Sequence, residues 1–405
     1  PSSLTVEQAT ARIAQTIAPV GAHEAVALRA ALGRVLDEQV LSPLDVPPYT
    51  NSAMDGYALR GDDLPVDGEA NLQVIGTALA GQPFTGEVNA GQCVRIMTGA
   101  KMPQGADTVV MQEHVKREGD TAHIGGGHRR GQNVRAAGED IARGKPVLTR
   151  GRRLGPADIG LLASLGIPEV QVKRRVRVAF FSTGDELRSI GEPLEEGQIY
   201  DSNRYTLHGL LSELGVEIID MGVVRDRRED VEAAFEQAAA VADAVITSGG
   251  VSVGEADYVK ETLAHLGEVN FWKLAMKPGK PLAFGRVGRA WFFGLPGNPV
   301  SVMATFYELV LPGLRRLMGQ RETAPMSLTV PCADALKKRP GRVDFQRGIL
   351  SRDADGQLIV RTTGDQGSHI LSSMSRANCF IVLPRDWGNV EPGTPVEVQP
   401  FEGLL

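Results

Sequence analysis

What this sequence holds little of narrows its reading at once. Only 3 cysteines occur among 405 residues. Cys93, Cys332 and Cys379 lie far apart and are odd in number, so a disulfide framework is not expected and all three read as packing residues. The 7 histidines have no His-Glu-x-x-His or Cys-x-x-Cys companion, which argues against a zinc centre. A Walker-type Gly-x-x-x-x-Gly-Lys-[Ser/Thr] loop and a Gly-x-Ser-x-Gly elbow are both missing, which disfavours P-loop nucleotide hydrolases and serine hydrolases. There is no long uncharged apolar span. The first residues instead form a capping-box pattern, Thr5-x-x-Gln8, opening a stripe of Val6, Ala9, Ile13 and Ile17, so we expect no membrane segment, no signal peptide and a cytoplasmic location. An excess of basic residues is also missing: the formal net charge is −6, which disfavours nucleic acid as a partner. The run from Lys173 to Arg177 then reads as a solvated linker, and Arg129 with Arg130 as a hairpin tip.

Glycine, by contrast, is plentiful, with 47 residues. Three glycine-rich turns each follow an apolar run: Thr247-Ser-Gly-Gly-Val-Ser-Val-Gly254, Lys273-Leu-Ala-Met-Lys-Pro-Gly-Lys-Pro281 and Gly294-Leu-Pro-Gly-Asn-Pro299. Such turns let backbone N–H groups approach a phosphate or oxyanion. A chain of this length holds two to four domains of about 100–200 residues each. From about Arg177 to Gly319 strand and helix patterns alternate, which predicts an α/β domain with a parallel sheet covered on both faces. The predicted strands are 176–181, 216–224, 244–247, 282–284 and 291–293, with Phe271 in a further short strand. The predicted helices are 203–214, 229–241 and 256–266, with another starting near Pro299. Residues 51–140 read as a β-rich domain, 174–326 as the α/β domain and 327–405 as a small C-terminal β barrel or sandwich. Residues 1–50 and 141–173, with a helix around 157–165, read as a discontinuous helical and linker domain.

In an open sheet of this kind ligands sit beyond the carboxyl ends of the strands, and the polar motifs fall there. Pro278 and Pro281 stiffen the turn that carries Lys273, Lys277 and Lys280, lowering the entropy cost of holding an anion. Taken alone these lysines also read as solvent-facing loop charges. Asp185, Glu186, Asp226 and Asp257 stand at strand ends or just before helices. Carboxylates beside an anion site imply an intervening divalent cation, for which Mg²⁺ with substrate phosphates is the usual case. Each of them singly also reads as a helix cap. Asn51-Ser-Ala-Met-Asp-Gly-Tyr57, Met97-Thr-Gly-Ala100 and Gly138-Glu-Asp140 read equally well as plain loops of the β domain.

Taken in order, Asn51–Tyr57, Arg95–Ala100, Gly138–Asp140, Ser182–Glu186, Asp201–Asn203, Ser248–Tyr258, Lys273–Pro281 and Gly294–Pro299 resemble the molybdopterin molybdenumtransferase family, which includes the E domain of gephyrin. The C-terminal part matches more loosely, through Asp344–Arg347 and Gly364–Ser368. The resemblance implies a molybdenum-cofactor enzyme that inserts molybdate into adenylylated molybdopterin with Mg²⁺-dependent cleavage of the anhydride and release of AMP. It implies an elongated four-domain homodimer in which Asp55, Thr98 and Asp140 reach the pocket from the partner subunit. Glu186, Asp226 and Asp257 would position Mg²⁺. Lys273 and Lys277, with Arg347 and Ser368, would hold molybdate and the pterin phosphate. Ser248, Gly249 and Gly250 would cradle the pyrophosphate, Lys280 would bind substrate, and Pro296 with Pro299 would form the floor. The adenylyltransferase of the same pathway and molybdoenzyme-maturation proteins are the candidate partners. Competing readings are a molybdopterin adenylyltransferase and a scaffold protein.

Overall fold

A computed structural model describes residues 3–249 and 258–401. By contact they fall into two compact units, one of residues 1–37, 151–155 and 169–405 and the other of residues 38–150 and 156–168.

The first unit is built on a six-stranded sheet. Its strands are β1 (Arg177–Thr183), β2 (Glu217–Val224), β3 (Ala244–Ser248), β4 (Gly267–Lys273), β5 (Pro281–Val287) and β6 (Ala290–Leu295), ordered β2-β1-β3-β6-β5-β4. Strands β2, β1, β3 and β6 run parallel, as the alternating pattern predicted. The rest of the sheet differs from the all-parallel expectation: β6 with β5 and β5 with β4 are antiparallel. The reason is loop length, because two residues between β5 and β6 permit a hairpin but no crossover helix.

The period-two pattern of β1 divides the core. Val178 and Phe180 face Leu207, Leu211, Phe293 and Leu314 on one side, while Ala179 and Phe181 face Val231, Phe235, Leu263 and Phe292 on the other. The helices that cover these faces follow their sequence signals. Ser202–Leu214 is capped by Asp201 and stopped by Gly215 in the left-handed conformation. Arg228–Val241 lies on the opposite face, and Tyr258–Leu266 is the described part of the helix expected over 256–266. Pro299 opens a helix that continues through a π-helical stretch, Phe306–Val310, to Leu317. The Thr5–Gln8 capping box forms as read. Its helix, Val6–Thr16, buries Val6, Ala9 and Ile13 in the core of this unit rather than against the 157–165 segment, because Leu311 and Leu314 complete its apolar stripe.

The C-terminal part of the unit sets Leu358–Thr362, Val343–Arg352, Cys379–Leu383, Pro395–Pro400 and Leu328–Pro331 side by side. A bridge from Cys332 back to Val360 closes them into the expected small barrel. Cys332 and Cys379 are packed inside it. Val343–Arg352 also takes a short parallel partner, Met276–Lys277, so the lysine turn is hydrogen-bonded to the barrel's edge.

The second unit holds a mixed six-stranded sheet ordered Thr108–Met111, Gly56–Leu59, Gln92–Ile96, Glu69–Ala78, Thr121–Gly125 and Val115–Glu118. This is the β-rich region read from the sequence. The helix Pro156–Ser164 also belongs to this unit.

Candidate functional site

From β1 the chain passes to β2 on one side and later to β3 on the other, so the order in which strands are added reverses between β1 and β3 while their direction stays parallel. A crevice is expected beyond their carboxyl ends. There Ser182 and Ser248 face each other across the ladder with hydroxyls 2.9 Å apart, both buried. Beyond them opens a cleft of about 1670 Å³. Its lining includes Glu186, Asp226, Ser248, Gly249, Lys277, Lys280, Pro296, Pro299 and Ser368, which six separate segments bring together.

The cationic wall is the turn after β4. The Lys277–Pro278 peptide is cis, and Gly279 stands at φ +98°, where an added Cβ would lie 2.6 Å from Thr305 Oγ1. Only glycine fits there, so the turn is pressed against the helix that begins at Pro299. Lys277 Nζ stands 3.7 Å from Asp344 Oδ2; the lysine side chain is 48% exposed and the aspartate side chain 4%. Lys337 and Arg342, from the loop before the Val343 strand, extend this wall. Neither belongs to the motifs named from the sequence, although the basic run Lys337-Lys-Arg-Pro-Gly-Arg342 is a signal for them.

The acidic wall comes from β1, β2 and the loops after them. No helix begins at Asp185 or Glu186, and the helix after Asp226 is capped at Arg227 without a side-chain bond, so neither Glu186 nor Asp226 serves as a helix cap. Burial pushes the Asp226 carboxyl above its ordinary value, and the negative charges of Asp185 and Glu186 push it further. Asp185 itself accepts from the Asp226 N–H at 3.3 Å. Asp201 and Asn203, read as a motif but given no role, line the same wall.

Several expected residues have other duties. The Gly249 N–H donates to the Leu295 carbonyl at 3.1 Å, so the pyrophosphate cradle loses that amide. Arg347 lines no part of the cleft. It is 1% exposed, donating from Nε to Ser373 Oγ at 2.9 Å and from Nη2 to the Gly367 carbonyl at 2.9 Å. Burial pulls its guanidinium down to about 10, and Asp365 partly offsets this. Arg347 therefore braces the 365–367 loop from behind, and Gln366 clamps the same loop to the Arg347 backbone, accepting at 2.7 Å and donating at 3.1 Å. The Val300 N–H donates to the Ser368 carbonyl at 3.1 Å, which ties that loop to the helix start. Lys273 is exposed at the end of β4 and outside the cleft lining. Gly250 and Asp257 fall outside the described residues.

Asp55, Thr98 and Asp140 belong to the second unit. Asp55 Oδ1 accepts from the Thr98 N–H at 2.7 Å and from its hydroxyl at 2.8 Å. Those two bonds, the backbone one foremost, hold its carboxyl below the ordinary range. The Asp140 N–H donates to the Val46 carbonyl at 3.0 Å, and its side chain is exposed.

Chemically, the cleft can grip oxyanions on one wall and a cation or hydrogen-bond donors on the other. Among the described residues no group of three or more His, Cys, Asp or Glu is arranged to hold a metal. Glu186 and Asp226 supply two carboxylates, which suits Mg²⁺ completed by substrate phosphates. No helix among the described residues is long and apolar enough to cross a membrane.

Comparison with known proteins agrees along the whole length. Residues 4–166 match the MoeA N-terminal region (domain I and II), 179–316 the probable molybdopterin binding domain and 329–401 the MoeA C-terminal region (domain IV). A protein of Haemophilus influenzae named molybdopterin molybdenumtransferase is 46% identical over 99% of this chain and 100% of its own. Gephyrin of Dictyostelium discoideum is 34% identical over 92% of this chain and 59% of its own. The crystal structure of the molybdopterin biosynthesis moeA protein from Pyrococcus horikoshii OT3 superposes with a TM-score of 0.87 at 31% identity, covering 99% of this chain and 100% of that one.

Proposed function

This chain belongs to the molybdopterin molybdenumtransferase family, and from that premise we propose that it inserts molybdate into adenylylated molybdopterin, cleaving the adenylyl anhydride with Mg²⁺ and releasing AMP. The observation that carries the reading is that one cleft at the switch point of the sheet gathers the cations Lys277, Lys280, Lys337 and Arg342 together with the carboxylates Glu186 and Asp226.

Lys277 and Lys280 bind the oxyanions, each charge-assisted bond contributing about 1.5–3 kcal/mol. Lys337 and Arg342 hold the remaining phosphate oxygens from the barrel side. Pro296 and Pro299 floor the cleft, and the Arg347 brace keeps Ser368 in reach of the bound anion. Glu186 and Asp226, with Asp257, would hold Mg²⁺, and the repulsion that raises Asp226 is relieved when a divalent cation sits among these carboxylates. Bound there, Mg²⁺ supplies charge stabilisation for the leaving phosphate.

We further propose a cytoplasmic homodimer in which the partner subunit contributes the Asp55–Thr98 pair and Asp140 to each site. Incubating the protein with adenylylated molybdopterin, molybdate and Mg²⁺ should release AMP in step with molybdenum incorporation. Formation of adenylylated pterin from molybdopterin and MgATP, without molybdate-dependent AMP release, would instead assign it to the adenylyltransferase step.

A further inference from the structure

We infer that Asp201 and Asn203 form an acceptor subsite that takes hydrogen-bond donors from the organic part of the substrate, and so fixes which way the substrate lies in the cleft. The inference deepens the proposed function and rests on that reading of the cleft.

Asp201 is 2% exposed and lines the cleft. Its Oδ1 caps the Ser202–Leu214 helix, accepting from the Arg204 N–H at 3.2 Å. Its Oδ2 is buried and has no hydrogen-bond partner among the described residues. Two residues on, Asn203 donates from Nδ2 to the Gly297 carbonyl at 2.8 Å. A carbonyl can only accept, so this bond fixes the amide orientation and leaves Asn203 Oδ1 as an acceptor. That oxygen too is buried and has no partner among the described residues, and Asn203 lines the same cleft. Buried acceptors without donors are costly, and they are retained where something else supplies the donor.

The chemistry of the missing partner follows. Ionised phosphate and molybdate offer no hydrogen, and a carboxylate already occupies the helix start, so the oxyanions belong at the opposite wall with Lys277, Lys280, Lys337 and Arg342. The donors on the proposed substrate are the amino and ring N–H groups of the pterin and, on the adenylyl group, the ribose hydroxyls and the adenine 6-amino group. Either places the organic end of the substrate against the Asp201 helix and its charged end toward the lysines.

Asp201→Asn separates this role from folding, because asparagine caps a helix as well as aspartate does, while an amide N–H₂ in place of Oδ2 repels donors. Binding of AMP, 2′,3′-dideoxy-AMP, 6-hydroxymethylpterin and molybdate would be measured by calorimetry on wild-type and variant full-length protein. We expect D201N to weaken either AMP or the pterin about 10- to 100-fold, with molybdate binding and Tm unchanged. If AMP is the probe affected, wild-type protein that binds the dideoxy nucleotide as poorly as D201N binds AMP makes the ribose hydroxyls the donors, and undiminished dideoxy binding makes the adenine amino group the donor; if the pterin is affected, its amino and ring N–H groups are the donors. D201N that binds both AMP and the pterin as tightly as wild type overturns the subsite and leaves the proposed function standing. Wild-type protein that binds none of the four probes overturns the proposed function and the subsite together.

Discussion

Gly279 offers the sharpest test of how the lysine turn is built. At φ +98° an alanine costs about 1–3 kcal/mol in backbone strain, and its Cβ would meet Thr305 Oγ1 at 2.6 Å. Thr305 is fully buried on a helix, so it cannot swing away, and overpacking adds about 1–3 kcal/mol. Gly279→Ala should therefore lower stability by about 2–6 kcal/mol, or escape that loss by pushing the turn outward and displacing Lys277 and Lys280. A cycle with Thr305 separates the terms. The Thr305 hydroxyl has no hydrogen-bond partner among the described residues, so its removal breaks no bond there. Thr305→Val keeps an atom at the clash, and G279A should cost as much there as in the wild-type background. Thr305→Ala removes it, leaving the backbone cost of about 1–3 kcal/mol and the milder contact with the flexible end of Met276 at 3.2 Å. Urea unfolding gives the free energies, and molybdate saturation of AMP release shows whether the lysines moved. An identical G279A penalty in all three backgrounds would refute the steric argument.

Lys277→Ala should raise the molybdate concentration needed for half-maximal AMP release about 10- to 100-fold; unchanged molybdate dependence would remove this lysine from the site. Glu308, in the π-helical stretch, is pushed up from an ordinary 4.5 to about 8 by burial and by the charges of Glu7 and Glu397. A raised carboxyl gives stability that is fully present below 4.5 and is lost as pH rises through 8, so Glu308→Gln should match wild type near pH 4 and become progressively more stable than it toward pH 9. Parallel pH–stability curves for the two proteins would mean that Glu308 is ionised at neutral pH.

The parts legible in the sequence were those set by local chemistry. Thr5 with Gln8, Gly215 after Leu214 and Pro299 at a helix start each mark an element end, and alternation such as Val178–Phe181 marks a doubly covered strand. The antiparallel β4–β5–β6 run was missed because short strands joined by tight turns look the same in either direction until a loop's reach is weighed. For the site, placing the motifs at strand ends gathered Glu186, Asp226, Ser248, Lys277 and Lys280, since strand direction alone decides which end a loop occupies. Side-chain direction was not legible. Arg347 follows a strand pattern equally consistent with facing the cleft, yet it turns into the barrel's support because Ser373 and the Gly367 carbonyl wait there. Asp201 was equally opaque, since a helix cap and a cleft ligand use the same residue type, and only an oxygen left without a partner distinguishes them.

The charge balance of the cleft decides how it selects. Lys277, Lys280, Lys337 and Arg342 stand among Glu186, Asp201, Asp226 and Asp365, so among the described residues four cations meet four carboxylates. A lining with no excess of cations does not draw polyanions from a distance, in contrast to basic pockets whose association rates fall steeply with salt. Recognition must then come from contacts closer than the Debye length of about 8 Å at physiological ionic strength. The association rate of the substrate should accordingly change little as salt is raised from about 0.05 to about 0.5 M. Asp365→Asn tilts the balance. Asparagine can still accept the Gly367 N–H that Asp365 Oδ1 receives at 3.0 Å, so the loop keeps its shape. The variant should bind anions faster at low salt and acquire the steep salt dependence that wild type lacks, losing discrimination between the substrate and simple polyphosphates. A steep dependence already present in the wild-type protein would mean that the carboxylates are neutralised before the substrate arrives, and selection would then begin with that neutralisation rather than with the substrate.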